Sequence, residues 1–271
     1  MFTTLINKYG FTKKNIFVLS SSGTDWDLDG DGVDDIDYAA TRANIFAVFD
    51  TLDYNKDVDE NDLVLVYVTD HGHRDKDKNK SYMNLFNYLN TGEQFSDTEM
   101  DSVFTNLEDE DVVDYWPHLL GVFEQCDAGG FVDSIIPYCK RAVCSACKAD
   151  ETSMNYAGIR GRASDAAYRS TNYSSFAYWW IVAMNGAHPE GDAADADSND
   201  DGYVSFKEAF EFAKANDEYA VSHTETPQYF DFEEGYGKTI TLSGVQVSMG
   251  RAGLNRADPN RPLTGGGARL G

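Results

Sequence analysis

The chain has 271 residues, of which 46 are acidic and 22 basic, so the formal net charge is −24. This length allows one large α/β domain or two small ones with a real core. The excess of carboxylates argues against nucleic acid as a partner, because phosphate contacts need clustered lysine and arginine. No apolar run reaches the ~20 residues of a membrane span, and residues 1–10 lack the features of a secretory signal.

The first half of the chain predicts alternating helices and strands. We expect a helix over 1–8 closed by Gly10, a strand over 15–20, an Asp-rich loop over 25–37 and a helix over 41–52. The unbroken run of apolar residues over 63–69 is typical of a strand buried on both faces. Ser96 and Glu99 have the spacing of a capping box, which predicts a helix to about residue 107.

The second half repeats this alternation. We expect strands over 119–124, 142–148 and 239–242, and helices after Gly130, over 174–184 and over 206–215. Strands that alternate with helices predict an α/β domain with a mainly parallel sheet covered on both faces. We assign this domain to residues 1–248. The remaining 249–271 are rich in glycine, proline and arginine without periodicity, which predicts disorder.

His71 and Cys126 each follow a predicted strand and precede glycine-containing sequence. Active sites of parallel sheets collect at the carboxyl ends of strands, so we expect the two side chains to share a site. A histidine that takes a thiol proton makes the cysteine an efficient nucleophile. Amide cleavage also needs donors for the developing oxyanion, and the backbone N–H groups of Gly72 and Cys126 are suitably placed.

These two segments resemble the motifs of caspase-like cysteine peptidases. They are Val-Tyr-Val-Thr-Asp-His-Gly over 66–72 and Val-Phe-Glu-Gln-Cys-Asp-Ala-Gly-Gly over 122–130, and they are most similar to legumain and its bacterial relatives. The resemblance implies a caspase-like three-layer α/β/α sandwich and a cysteine endopeptidase that acts on proteins or peptides through a thioester. It implies that His71 is the base and acid, that Cys126 is the nucleophile, and that Gly72 and Cys126 form the oxyanion hole.

The resemblance also implies that Glu124 lines the pocket for the residue before the scissile bond. A structural carboxylate is the alternative interpretation of Glu124. In the family, a further strand and loop precede the helix with which this sequence opens, and that strand is central in the sheet. We therefore expect either that the chain is a fragment that lacks the family's first strand or that another segment fills its place. A missing central strand would leave two rows of backbone groups unpaired.

A second Asp-rich segment fits the twelve-residue calcium loop of EF-hands. Its predicted ligands are Asp197, Asn199, Asp201, Tyr203 through its carbonyl, Ser205 through a water, and Glu208. Gly202 stands where such loops turn sharply. The alternative is an acidic turn before a helix.

The loop over 25–37 matches the start of the same pattern with Asp27, Asp29 and Asp31, and Asp35 could substitute at the ninth position. Its twelfth position is Tyr38, which cannot chelate as glutamate does, so a turn with solvated carboxylates is the alternative here. Calcium loops favour a secreted or periplasmic protein over a cytoplasmic one. We expect Ca²⁺ to be the cofactor and to raise stability or activity.

Two other functions stay open at this stage. One is a catalytically silent, calcium-binding interaction domain or inactive fragment of the same fold. The other is a redox or metal protein that uses Cys139, Cys144 and Cys147. Cys144 and Cys147 have the spacing of half a zinc site, but they lie in a predicted strand, which favours core cysteines. An odd number of cysteines beside Cys126 does not indicate a disulfide framework.

Overall fold

A computed structural model describes residues 1–22, 25–54, 58–108, 116–135, 140–154, 174–189, 191–232 and 235–245. The strands are β1 (Leu19–Ser20), β2 (Tyr38–Ala39), β3 (Leu63–Val68), β4 (Gly72–Asp75), β5 (Lys80–Asn84), β6 (Gln94–Ser96), β7 (His118–Phe123), β8 (Arg141–Ser145), β9 (Gln228–Asp231), β10 (Ile240–Thr241) and β11 (Gly244–Val245). The helices are α1 (Phe2–Tyr9), α2 (Arg42–Tyr54), α3 (Tyr88–Thr91), α4 (Asp97–Asn106), α5 (Gly129–Ser134), α6 (Ser175–Asn185), α7 (Phe206–Asn216) and α8 (Glu218–Val221).

The largest described sheet has four strands in the order β3-β7-β8-β9. β3, β7 and β8 are parallel, and β9 runs antiparallel to β8. Three short sheets accompany it: β4-β5-β6 is antiparallel, β1 pairs parallel with β2, and β10 pairs antiparallel with β11. The molecule is therefore a mixed α/β protein with a mainly parallel central sheet, as the alternating pattern predicts.

Helices cover both faces of the sheet. On β7, Leu120 and Val122 face a core formed with α1, α6 and α7. Leu119 and Phe123, which alternate with them, face a second core formed with α2, α4 and α5. The two cores give three layers, with the central sheet in the middle.

Helix ends follow the signals in the sequence. Ser96 accepts a hydrogen bond from the backbone N–H of Glu99, and the Glu99 carboxylate accepts one from the N–H of Ser96, so the capping box is confirmed. Gly10 ends α1 with φ of 73°, a conformation that glycine adopts without strain. Ser205 and Glu208 form a second capping box, at the start of α7.

Three predicted strands differ from those observed. The strand predicted over 15–20 is shorter: its first residue ends a 3₁₀ turn (Lys13–Asn15), and pairing starts only at Leu19. β8 ends at Ser145, and the chain turns over the residues that follow. β3 is half-buried throughout instead of buried on both faces, because among the described residues it pairs with β7 alone and lies at the sheet edge. The tail 249–271 and Cys139 lie outside the described residues.

Candidate active site

The carboxyl ends of β3 and β7 lie side by side. Val68 is the register partner of Phe123, and the next ladder bond runs from the N–H of Glu124 to the carbonyl of Val68 at 3.0 Å. The segment 69–72 therefore leaves the sheet beside the segment 124–126. This places the two sequence motifs at one edge of the sheet.

Gly72 and Cys126 approach each other closely at this edge. A methyl group placed on Gly72 would lie 2.5 Å from the carbonyl oxygen of Cys126 and 2.8 Å from that of Tyr82. Both atoms belong to the backbone and cannot turn aside. Only glycine fits, so the Gly72 predicted from the His-Gly motif is required by packing against the cysteine segment.

The side chain of Cys126 is half-buried. Its thiol donates to the carbonyl oxygen of Ser153, with 4.0 Å between sulfur and oxygen. Burial raises the pKa of the thiol, and the nearby charges of Asp127 and Glu225 raise it further. In this form of the site the thiol is protonated at neutral pH and needs a base to become a nucleophile.

His71 is exposed at the same edge. Its backbone N–H donates to a carboxylate oxygen of Asp70 at 2.6 Å, and its carbonyl accepts from the N–H of Asn84 at 2.9 Å. Within the described part of the chain, no hydrogen bond joins the His71 ring to the Cys126 thiol. The structure therefore brings the two segments together without a hydrogen bond between the two side chains.

The turn after Cys126 is held from several sides. Asp127 has φ of 59°, which is unusual for a residue other than glycine, and its N–H donates to the carbonyl of Glu151 at 2.8 Å. The buried thiol of Cys147 lies 3.6 Å from the carbonyl oxygen of Gln125 and 3.3 Å from that of Glu151. These contacts fix the peptide that carries the Cys126 N–H.

Glu124 stands two residues before Cys126 and is only 2% exposed. The hydroxyl of Tyr67 donates to its Oε2 at 3.1 Å, while its Oε1 is buried and has no hydrogen-bond partner among the described residues. Burial raises the pKa of Glu124 well above its usual range. The α-amino group of Met1 interacts with this carboxyl electrostatically.

Sequence reasoning missed two residues of this site. Glu225 is 1% exposed and accepts from the N–H of Met154 at 2.8 Å; burial raises its pKa to about 8. His73 stacks on Tyr82 and lowers the pKa of Asp127, although burial dominates and raises that pKa overall. No local signal marks Glu225: it lies three residues before β9, a strand that the sequence did not predict, and β9 pairs with the end of β8 through Gln228 and Ser145.

The two Asp-rich loops share a hydrogen-bonding pattern. Asp27 accepts from the N–H groups of Asp31 and Gly32 at 3.1 and 2.8 Å, and Asp197 accepts from those of Asp201 and Gly202 at 3.1 and 2.7 Å. In both loops, the first aspartate thus accepts hydrogen bonds from the backbone N–H groups four and five residues later.

The two loops differ in what their carboxylates bind. In the first loop, Asp27, Asp29 and Asp35 present oxygens within 4.8 Å of one another, the spacing of a metal site. The ammonium of Lys13 lies among these carboxylates, 2.9 Å from Asp29 and 2.8 Å from Asp35.

In the second loop, the Glu208 carboxylate is hydrogen-bonded to two serines. Its Oε1 accepts from the N–H and hydroxyl of Ser198 at 3.1 and 2.9 Å, and its Oε2 accepts from the N–H of Ser205 at 2.9 Å. Among the described residues, a convergence of three possible ligand side chains occurs in the first loop alone. Tyr203 is exposed, and Tyr38 of the first loop is exposed as well.

Cys144 and Cys147 are free thiols buried in the core. Burial raises the pKa of each. A protonated, inaccessible thiol is a poor nucleophile and a poor metal ligand, which agrees with the interpretation as core cysteines.

Comparisons with known proteins give a distant structural likeness. No family model matches the sequence, and no curated protein matches it. A solved structure of protein GSU0716 from Geobacter sulfurreducens is similar at 12% identity, covering 72% of this chain and 76% of that chain, with a TM-score of 0.43. Among the helices described here, none combines the length and the apolarity that crossing a bilayer requires.

Proposed function

We propose that the chain is a caspase-like cysteine endopeptidase, with Cys126 as nucleophile and His71 as base and acid. The observation that carries the proposal is the contact between Gly72 and Cys126, which joins the two motifs at the carboxyl edge of a mainly parallel sheet. The resemblance to legumain supports the same roles. Glu124 is proposed to line the pocket for the residue before the scissile bond.

The proposed reaction starts from the thiol-imidazole pair. His71 takes the thiol proton as sulfur attacks the substrate carbonyl carbon, and the N–H groups of Gly72 and Cys126 stabilise the oxyanion. The C–N bond breaks as His71 returns the proton to the leaving amine, which leaves a thioester on Cys126. Water, deprotonated by His71, then attacks the thioester and releases the acid and the thiol. The reaction requires the exposed His71 ring to turn toward the thiol.

Labelling with an iodoacetamide probe tests the pair. We expect Cys126 to be labelled fastest among the cysteines, and His71→Ala to slow that labelling about tenfold or more. His188→Ala is the control, because the His188 ring packs against Tyr178 and Trp179, away from the residues of this site. Equal labelling of all four cysteines, or equal effects of the two histidine variants, would contradict the assignment.

A catalytically silent interaction domain is the second candidate. The observation that favours it is the absence of a thiol–imidazole hydrogen bond in the described residues, together with the raised pKa of the Cys126 thiol. Peptide cleavage that is lost in Cys126→Ala excludes this candidate.

Calcium binding at the first loop belongs to the same proposal. The donor set fits Ca²⁺, since Asp27, Asp29 and Asp35 converge and a cationic group, the Lys13 ammonium, already lies among them. A bound Ca²⁺ would supply charge neutralisation to these carboxylates. Since Ca²⁺ is plentiful outside the cytoplasm, a secreted or periplasmic location goes with this proposal. At the second loop, Asp197, Asn199, Asp201, Ser205 and Glu208 are proposed as ligands once Glu208 leaves Ser198.

Thermal melting separates the two loops. We expect Ca²⁺ to raise the melting temperature relative to a chelator, by several degrees. Asp29→Asn should reduce this increase through the first loop and Asp201→Asn through the second. Identical melting curves with Ca²⁺ and with chelator would refute calcium binding at both loops.

A further inference from the structure

A buried amide oxygen belongs to the residue paired with His71. The N–H of Asn84 donates to the carbonyl of His71 at 2.9 Å, which continues the antiparallel pairing of β4 with β5 by one residue. The Oδ1 atom of the Asn84 side chain is buried and lacks a hydrogen-bond partner among the described residues. A buried acceptor without a donor costs free energy, so this atom needs an explanation.

The strand register puts the two side chains on one face of the β4-β5-β6 sheet. Gly72 pairs with Met83, so His71 and Asn84 are directly opposite each other. Opposite residues of an antiparallel pair project their side chains to the same face, with Cβ atoms about 4.5–5.5 Å apart. At that separation the Asn84 amide is within hydrogen-bonding reach of the His71 imidazole.

Contacts among neighbouring side chains agree with this assignment of faces. His73 stacks on Tyr82, its register partner, with ring centroids 5.3 Å apart, and its Nε2 lies 3.2 Å from the side-chain nitrogen of Gln94. Gln94 is in turn the register partner of Asn84. His71 stands two residues before His73 and belongs to the same face. The face thus carries His71, Asn84 and Gln94 in one row across the three strands.

Another amide near the site lies on the opposite face. A methyl group on Gly72 would lie 2.6 Å from Cγ of Gln125, whose side-chain amide is buried and has no hydrogen-bond partner among the described residues. Gly72 alternates with His71, so Gln125 packs on the face turned away from Asn84. The side-chain donor directly opposite Asn84 is therefore the His71 ring.

We infer that Asn84 is a positioning residue for His71. When the exposed ring turns toward the thiol, its Nδ1–H donates to Asn84 Oδ1, which leaves Nε2 to take the thiol proton. The inference rests on the proposed function, which makes His71 the base. Asn84 forms and breaks no covalent bond. It fixes the tautomer and the orientation of the ring, and its oxygen stabilises the imidazolium that forms when the thiol loses its proton.

The burial of the acceptor favours the turned ring. While His71 is exposed to solvent, Asn84 Oδ1 has no donor among the described residues; when the ring turns inward, the same atom gains one. A hydrogen bond that satisfies a buried acceptor contributes more free energy than one between exposed groups. Asn84 therefore supplies part of the free energy for the movement that the proposed reaction requires.

A double-mutant cycle on the labelling of Cys126 by iodoacetamide tests the inference. Asn84→Leu keeps the approximate size of the side chain and removes the acceptor. We expect it to slow labelling about tenfold in the wild-type chain and less than about twofold in His71→Ala, because Asn84 acts through the ring. Asn185→Leu is the matched control, because the exposed Asn185 at the end of α6 donates to the carbonyl of Ala187, and labelling should not change.

Asn84→Asp is the second variant, because a carboxylate oxygen restores the acceptor. We expect this variant to recover most of the wild-type labelling rate. Nitrogen NMR of the histidines in the Cys126→Ala chain gives a readout that needs no activity. The Nδ1–H form of His71 should be more populated in the chain with Asn84 and in Asn84→Asp than in Asn84→Leu. Equal populations in all three would overturn the inference.

The labelling outcomes separate the positioning role from the proposed function. If His71→Ala slows labelling and Asn84→Leu does not, the inference is overturned and the catalytic pair stands. If Asn84→Leu slows labelling equally in the wild-type and His71→Ala chains, Asn84 supports the fold alone and the inference is again overturned. If His71→Ala has no effect, the pair is refuted and the positioning role with it.

Discussion

Cys126 follows β7, an interior strand of the central sheet, whereas His71 follows β3, which pairs on one side only within the part of the chain that the structure describes. Five of the six β7 residues are buried, and the turn that follows is held by Glu151 and Cys147. All six β3 residues are half-buried, and the His71 ring is exposed. The difference teaches that the core fixes Cys126, the proposed nucleophile, while the position of His71, the proposed base, depends on β3 and on the contact at Gly72.

The largest expected effect concerns Glu225, the buried carboxyl group that interacts with the Cys126 thiol. Burial raises the pKa of Glu225 from 4.5 to about 8, so the folded state holds this proton more tightly than the unfolded state does. The contribution of Glu225 to the free energy of unfolding therefore falls as pH rises from 4.5 to 8, by an amount on the order of 4 kcal/mol.

Urea unfolding across this pH range measures the loss in the free energy of unfolding. Glu225→Gln should gain stability relative to wild type as pH rises, whereas the exposed Glu218→Gln should run parallel to wild type. If the unfolding free energies of wild type and Glu225→Gln change with pH in parallel, the Glu225 carboxyl group is not buried in the folded protein.

The second prediction addresses the junction of the two strand ends. Gly72→Ala forces a methyl group against the backbone oxygens of Cys126 and Tyr82, and we expect a loss of about 3 kcal/mol with slower labelling of Cys126. Gly92→Ala is the control. No atom lies within 4 Å of the position that its methyl group would take, so the cost comes from the φ of 68° alone and is about 1 kcal/mol. Equal costs would argue that the two segments are not in contact.

The third prediction uses a cross-strand pair. Leu65 on β3 and Leu120 on β7 are register partners, but Leu65 is half-buried and Leu120 fully buried. We expect Leu120→Ala to cost about 3–4 kcal/mol and Leu65→Ala about 1–2 kcal/mol, since the cost follows the burial of the deleted atoms. If chemical denaturation gives equal values, β3 is as enclosed as β7 and the contrast between the strand ends disappears.

The smallest expected effect concerns two residues with positive φ. Asp127 lies in the nucleophile turn with φ of 59°, and Asn79 lies in the turn between β4 and β5 with φ of 53°. Asp127→Gly should stabilise by about 0.5 kcal/mol, since glycine adopts this conformation freely. Asn79→Gly should not stabilise, because it removes the bond from Arg74 to the Asn79 side chain. Thermal melting of both variants gives the comparison.

Local sequence signals predicted the elements that depend on local physics. The apolar runs of β3 and β7, the capping box at Ser96 and the close-packed Gly72 were all visible in the sequence. The exposure of β3 was not, because a run of apolar residues does not say how many neighbours a strand has. Glu225 was missed for a similar reason: no local pattern marks a carboxyl group that is buried by segments distant along the chain.

The half-exposed edge of β3 also bears on how copies of the protein behave in solution. Among the described residues β3 is paired on one side only, and such an apolar strand offers backbone groups to other chains, while a net charge of −24 keeps copies apart. That repulsion acts over about 10 Å in 0.1 M salt and shortens as salt is added. Colloidal stability should therefore be greatest in dilute buffer above neutral pH and poorest in strong salt or near the isoelectric point of 4.3.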